Sequence, residues 1–193
     1  MIGWRRDGGQ LVAELTQQEA AVLRGMVSQI KEMLEERAEE APQDELALIT
    51  GIRTGPSTPP DNRIVARLLP DFHRGDEDGD LPPADADSAA ALRSIYEPQL
   101  LEAKTGVAEV VLTTCPRDGG VAALSEEQAE AWLSAINDVR LALGTALDIS
   151  EDTPEEPLEG ETDDTRSAHM GVYQWLTWVQ DTLIATLSGD DEE

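Results

Sequence analysis

Basic residues, cysteine and long apolar runs are all scarce in this sequence. The chain has 193 residues, and its 14 Lys and Arg against 40 Asp and Glu give a formal net charge of −26. A field of that sign repels phosphate backbones and attracts basic protein surfaces, so direct binding to nucleic acid is not expected. A single cysteine, Cys115, excludes an internal disulfide, and the cytoplasm is the expected compartment. No run of 18 apolar residues occurs, and the first residues lack the apolar core of a signal peptide, so no membrane association is expected.

One short motif, Arg-Asp-Gly-Gly, occurs at residues 6–9 and again at 117–120. A phosphate-binding loop would open directly into a helix and usually carry a lysine, but here an extended segment follows each copy. Paired glycines can adopt the positive φ of tight turns, so we interpret both copies as turns leading into strands. After each strand, a Ser or Thr precedes a Glu or Gln by three residues, which predicts capped helix starts at Thr16 and Ser125.

Apolar residues at helical spacing predict a mainly α protein. The predicted helices cover residues 17–40, 44–52, 62–69, 87–114, 126–147 and 167–187. Pro98 is expected to break the fourth of these. The fold class is a bundle of five or six helices with a small antiparallel β element, formed by an N-terminal hairpin and a strand near 121–124.

The predicted organisation is one regulatory domain over residues 1–187. Residues 75–86, rich in Gly, Pro and acids, are predicted to be a loop. A flexible acidic linker is expected at 150–166 and an acidic tail at 188–193, since such segments have little apolar surface to bury.

No metal, cofactor or catalytic constellation is recognisable. The acidic run at 76–80 resembles the start of a calcium loop, but Leu81 replaces the turn glycine and Asp87 the bidentate glutamate. His73 and His169 have no neighbouring ligands at zinc-binding spacing. We therefore predict that the protein is not an enzyme and has no cofactor.

Cys115 is the candidate redox residue. It follows a predicted helix, and Arg117 could lower its pKa and favour the reactive thiolate. The alternative is that Cys115 is a small apolar residue that closes the helix end.

Polar and aromatic residues interrupt two apolar helices. Asn137, Asp138 and Arg140 lie in the 126–147 helix, and such groups form either a structural polar network or a partner-binding face. The aromatic candidates, which belong either to the core or to an interface, are Trp132, Trp175 and Trp178.

Three segments resemble a known family. "RIVARLLPDFHR" (63–74), "AWLSAINDVRLALGTALDI" (131–149) and "VYQWLTWVQDTLI" (172–184) are similar to the actinomycete oxidative stress regulator AosR-like family, formerly a domain of unknown function. The resemblance implies a non-enzymatic regulator of the transcriptional response to oxidants that acts through a sigma factor. The acidic surface is expected to engage a basic partner, such as a sigma factor or another RNA polymerase component. With Cys115 alone, redox sensing would require an intermolecular disulfide, a mixed disulfide or a sulfenic acid.

Two other functions and one further partner stay open. A direct DNA-binding regulator would use a helix-turn-helix-like pair, with Arg63, Arg67 and Arg74 as a local basic patch. An accessory protein of proteolysis is the other alternative. A second copy of the chain, forming a homodimer, is the further partner.

Overall fold

The computed structural model describes residues 1–42, 54–71, 83–149 and 164–189. Its elements in chain order are β1 (Ile2–Asp7), β2 (Gln10–Leu15), α1 (Gln17–Glu39), α2 (Arg63–Leu68), α3 (Pro83–Thr114), β3 (Gly120–Leu124), α4 (Glu126–Ala146) and α5 (Asp164–Ser188). The mainly α fold class with a small antiparallel sheet is confirmed, with five helices in the described part of the chain. The predicted helix at 44–52 lies outside the described residues.

The chain divides into two compact units. The first combines Met1–Ile30 with Val107–Glu193, and the second is Lys31–Gly106. Helices α1 and α3 contribute residues to both units. The single domain over residues 1–187 stays a prediction.

Both Arg-Asp-Gly-Gly motifs are turns. The three strands form one antiparallel sheet in the order β1-β2-β3. Gly8 and Gly9 have φ values of 57° and 86°, as a two-residue hairpin turn of type I′ requires. In the second copy, Gly119 has φ 79°, and a Cβ there would lie 2.6 Å from the backbone nitrogen of Gln17. Only glycine fits this position, because both the dihedral angle and the close backbone approach exclude a side chain.

Reciprocal capping bonds begin two helices of the first unit. At α1, the Thr16 N–H donates to Glu19 Oε2 at 2.8 Å, and the Glu19 N–H donates to Thr16 Oγ1 at 3.2 Å. At α4, Ser125 and Gln128 exchange the same two bonds. Both predicted capping boxes are therefore confirmed.

The core of the first unit lies between the sheet and helices α4 and α5, which pack against each other as their apolar stripes predict. Its fully buried side chains come from strands and helices alike: Leu11, Leu23, Leu124, Trp132, Ile136, Leu176 and Leu183. Helix α5 also packs along β1, where Thr186 Oγ1 donates to the Trp4 carbonyl at 3.1 Å. The C-terminal helix is therefore part of this unit's core, since its Leu176 and Leu183 have no exposed surface.

Helix α3 corrects two sequence predictions. It begins at Pro83, so residues 83–86 are helical, and it continues through Pro98 without the predicted break. The proline ring removes the N–H that would bond to the Ser94 carbonyl. The N–H of Gly55 donates to that carbonyl instead, at 2.7 Å, so the acceptor is satisfied from outside the helix. The rest of the predicted loop, 75–82, lies outside the described residues.

Helix α5 corrects the linker boundary. It begins at Asp164, so residues 164–166 are helical, while 150–163 lie outside the described residues. Arg166 Nη2 donates to the Leu147 carbonyl at 3.0 Å and closes the end of α4. In the described part of the chain, no helix is long and apolar enough to cross a membrane.

Candidate functional site

The polar residues singled out on the 126–147 helix differ in their exposure to solvent. Asn137 is exposed, whereas Asp138 is buried at 4% exposure. Half-buried Arg140 reaches α5, where its Nη1 donates to Gln180 Oε1 and its guanidinium lies 5.3 Å from the centre of the Tyr173 ring. Arg140 therefore joins α4 to α5 through a hydrogen bond and a cation–π contact.

Gly144 lies beside the same contact. A Cβ at Gly144 would lie 3.7 Å from Tyr173 Cε2, which is ordinary van der Waals distance. The Tyr173 side chain of α5 therefore lies against this glycine of α4. Arg140 and Gly144 thus both lie at the contact between α4 and α5.

The three tryptophans singled out from the sequence differ in exposure. Trp132 is fully buried, its ring lies edge-on to Trp4 with centroids 5.3 Å apart, and its Nε1 donates to Thr114 Oγ1 at 2.7 Å. Trp175 is half-buried, and its Nε1 has no hydrogen-bond partner among the described residues. Trp178 is 41% exposed and offers the largest exposed fraction of the three.

Cys115 lies just after α3 and is buried at 3% exposure. Arg24 closes the helix end there, since its Nη1 donates to the carbonyls of Leu112 and Cys115 at 2.6 and 2.9 Å. Burial raises the pKa of the Cys115 thiol, and the charge and hydrogen bond of Arg24 offset only part of that effect. The neighbouring cation is thus Arg24, not the predicted Arg117, and the pKa moves away from thiolate formation.

A buried charge network in the second unit was missed by the sequence analysis. Glu97 is fully buried, and it accepts from Arg37 Nε at 2.7 Å and from Arg93 Nη1. Arg37 and Arg93 are each 3% exposed. Arg93 also donates to Asp71 and to the Leu69 carbonyl.

Charge balance explains how this network tolerates burial. Burial alone lowers the pKa of Arg37, but hydrogen bonds and charges from Glu97 and Glu40 raise it above its ordinary value. Every ion therefore has opposite charge within bonding distance, which buried charges require. The four-residue spacing of Arg93 and Glu97 was the available sequence signal.

The same unit contains a groove of about 770 Å³ beside the Gly55–Pro98 contact. Apolar atoms of Ala38, Ile95 and Leu101 line it, and its charged lining residues are Glu35 and Glu102. Because it lacks a convergent set of buried polar groups, it does not define a ligand class.

The remaining predicted features are separate from these clusters. Arg63 and Arg67 are exposed on α2, which Asn62 caps through its side-chain oxygen. Arg74, His73 and the acidic run at 76–80 lie outside the described residues. His169 is exposed, and the part of the chain that the structure describes contains no group of residues arranged to hold a metal ion.

Comparison with known proteins places these features in a family. The profile described as Domain of unknown function (DUF2017) matches residues 1–187. Oxidative stress regulator AosR of Mycobacterium tuberculosis is 42% identical over 188 residues, covering 95% of this chain and 85% of the relative.

The chain belongs to this family. A second relative, the putative oxidative stress regulator AosR of Mycobacterium leprae, is 38% identical over 192 residues, covering 95% of this chain and 87% of the relative. The family predicted from the three sequence segments is thereby confirmed. No solved structure matches the chain.

Proposed function

We propose that this AosR-family protein is a non-enzymatic regulator of the transcriptional response to oxidative stress. The observation that carries the proposal is 42% identity, across 95% of the chain, to a protein named as an oxidative stress regulator. Identity of this extent spans nearly the whole chain, so it is not confined to one shared motif.

The regulator acts in the cytoplasm by contact with a protein, namely a sigma factor or another component of RNA polymerase. The net charge of −26 supports a protein partner over DNA, because it opposes phosphate contacts and favours basic protein surfaces. Exposed Trp178 offers an aromatic side chain of the kind that anchors protein interfaces.

Redox sensing by Cys115 itself gains no support from its surroundings. The thiol is buried and its pKa is raised, and both features slow oxidation, since thiolate and access are needed. We propose that regulation depends on partner contact and that any oxidant signal reaches this chain through the partner.

The test is capture of the tagged full chain from its native cells, with and without peroxide, followed by mass spectrometry. We expect a sigma factor or a polymerase subunit to be enriched over a capture with an unrelated protein of similar negative charge. Enrichment of a protease complex alone would overturn the proposal in favour of the accessory role in proteolysis. If the polymerase components are captured only through DNA, so that nuclease treatment releases them, the direct DNA-binding alternative would be favoured.

A further inference from the structure

Strand β3 forms one edge of the three-stranded sheet, since the strand order is β1-β2-β3. Which of its backbone groups face outward follows from the hairpin. In a two-residue hairpin, the two residues that flank the turn, here Asp7 and Gln10, exchange both backbone hydrogen bonds. Along the strands, pairs that are hydrogen-bonded to each other then alternate with pairs that are not. Leu11 and Ala13 therefore direct their backbone groups toward β3.

The same alternation determines which backbone groups of β3 point toward β2 and which point outward. Its Leu124 and Ala122 pair with Leu11 and Ala13 and face β2. Val121 and Ala123 therefore direct their N–H and C=O groups outward. Among the described residues, no backbone group of another segment hydrogen-bonds to this outer edge.

Within the described residues, strand β3 carries none of the sequence features that usually protect an edge against pairing with another chain. Protected edges carry a charged side chain, a proline or a bulge. Strand β3 reads Gly-Val-Ala-Ala-Leu, and its register with β2 is regular. Val121 is 61% exposed and Ala123 is also exposed, so the outer face is open and apolar.

We propose that the outer edge of β3 receives an extended, basic segment of a partner protein as an additional strand. This proposal rests on the proposed function, because it names the surface through which the regulatory contact is made. Backbone hydrogen bonds to Val121 and Ala123 would supply the pairing, as in other cases of strand addition.

The acidic side chains around the edge of β3 favour a basic partner segment. Exposed Asp118 precedes the strand and exposed Glu127 follows it, while Glu14 lies directly beside Val121 on β2. Arg117 is the nearby basic residue in sequence, so acids predominate. A lysine opposite Val121 would lie two strand spacings, about 10 Å, from the Glu14 backbone, within reach of both long side chains.

A second copy of the chain fits the edge less well. Self-pairing through β3 would bring the acidic surroundings of the edge in one copy toward those of the other, and each copy carries a net charge of −26. Like charges facing each other at this distance oppose association. Homodimerisation through β3 is therefore an alternative outcome of the test.

The experiment is an NMR titration of the full chain with a short capped peptide of alternating lysine and valine. We expect the amide resonances of Val121 and Ala123 to shift, and the affinity to fall as ionic strength rises. Matched peptides with glutamate in place of lysine, or with N-methylated backbone groups on the pairing edge, should not bind. No shift at β3, or equal binding of the basic and acidic peptides, would overturn the proposal.

Two protein variants provide the matched control. Ala123→Pro removes an outward N–H from an edge strand, where proline is tolerated. It should weaken the affinity for the basic peptide about tenfold. Ala123→Thr retains the N–H and should bind like the wild type. Concentration-dependent shifts at Val121 without peptide would instead identify a second copy as the occupant and overturn the proposal.

The two proposals fail separately. If the chain captures a polymerase component equally well with Ala123→Pro and with Ala123→Thr, the docking edge is wrong and the proposed function stands. If the basic peptide binds β3 but no polymerase component is captured, the docking edge stands and the proposed function is wrong.

Discussion

Cys115 combines two properties that oppose reactivity, a buried side chain and a raised pKa. Its position just after a helix does not leave it at the surface, because only 3% of the residue is exposed. We predict that Cys115→Ser lowers the free energy of unfolding by about 1–3 kcal/mol, since it places a hydroxyl in an apolar site. Denaturant unfolding measures this loss.

The raised pKa of the Cys115 thiol also predicts that the stability of the protein depends on pH. Its pKa is raised in the folded state, so its contribution to stability is complete below the unfolded pKa, about 8.5, and is lost as pH rises through the folded value. Alkylation by iodoacetamide should be much faster in denaturant than in the native state at the same pH. Equal rates in both states would contradict the burial of the thiol.

Glu97 is the residue on which the second unit's charge network depends. We predict that Glu97→Gln lowers the free energy of unfolding by about 3–5 kcal/mol, because it leaves two buried arginines without their shared carboxylate. Glu40→Gln is the control, since Glu40 bonds the same Arg37 but its side chain is 60% exposed, and it should cost about 0–1 kcal/mol. Similar losses for both variants would show that Glu97 is not the centre of the network.

Sequence reasoning at this scale singled out Trp132 and Arg140 as candidates but could not find the Arg37–Glu97–Arg93 network. The spacing of Arg93 and Glu97 marks an ordinary surface pair on a helix, and burial depends on Arg37, which is distant in sequence. Whether a charged residue is buried is decided by tertiary neighbours, not by its own local pattern.

At the scale of elements, Gly55 supports the continuity of α3 by donating its N–H to the Ser94 carbonyl. A Cβ there would lie 3.0 Å from both Cδ and Cγ of Pro98. We predict that Gly55→Ala lowers the free energy of unfolding by about 1–3 kcal/mol, because overpacking displaces the N–H that bonds to Ser94. In a Pro98→Ala background the loss should be smaller, since the ring is gone and the helix recovers its own hydrogen bond. Additive losses in the double-mutant cycle would contradict this coupling.

The docking of α5 on α4 gives a second prediction for the elements. A chain ending at residue 151 should aggregate, because it exposes the apolar surface that α5 covers on α4 and β1. Shortening residues 152–163 to a brief Gly-Ser link should preserve cooperative unfolding, since Arg166 already hydrogen-bonds to Leu147. Thermal unfolding and size-exclusion chromatography distinguish these outcomes. A soluble, cooperatively folding truncation would show that α5 is a detachable helix.

Local patterns predicted most of the elements. Paired glycines specified both turns, capping boxes specified the starts of α1 and α4, and the apolar stripes specified the docking of α5. The prediction failed at Pro98, where a loop from elsewhere in the chain satisfies the Ser94 carbonyl. Predicting such a hydrogen bond requires knowledge of the tertiary structure, because the sequence of the helix does not indicate it.

At the scale of the whole molecule, charge determines which partners are compatible. With a net charge of −26, binding to duplex DNA would bring together two strongly negative surfaces. We therefore predict no measurable affinity for random duplex DNA at physiological salt. A basic protein surface gains from the same field, which is the physical basis of the proposed contact with the transcription machinery.

The most direct test of that account is fluorescence anisotropy of the labelled full chain in physiological salt. The labelled chain is titrated separately with purified RNA polymerase, with individual sigma factors and with random duplex DNA. We predict a saturable rise with a sigma factor or polymerase and no change with DNA. Micromolar binding to DNA, with no response to any of the proteins, would contradict the central claim.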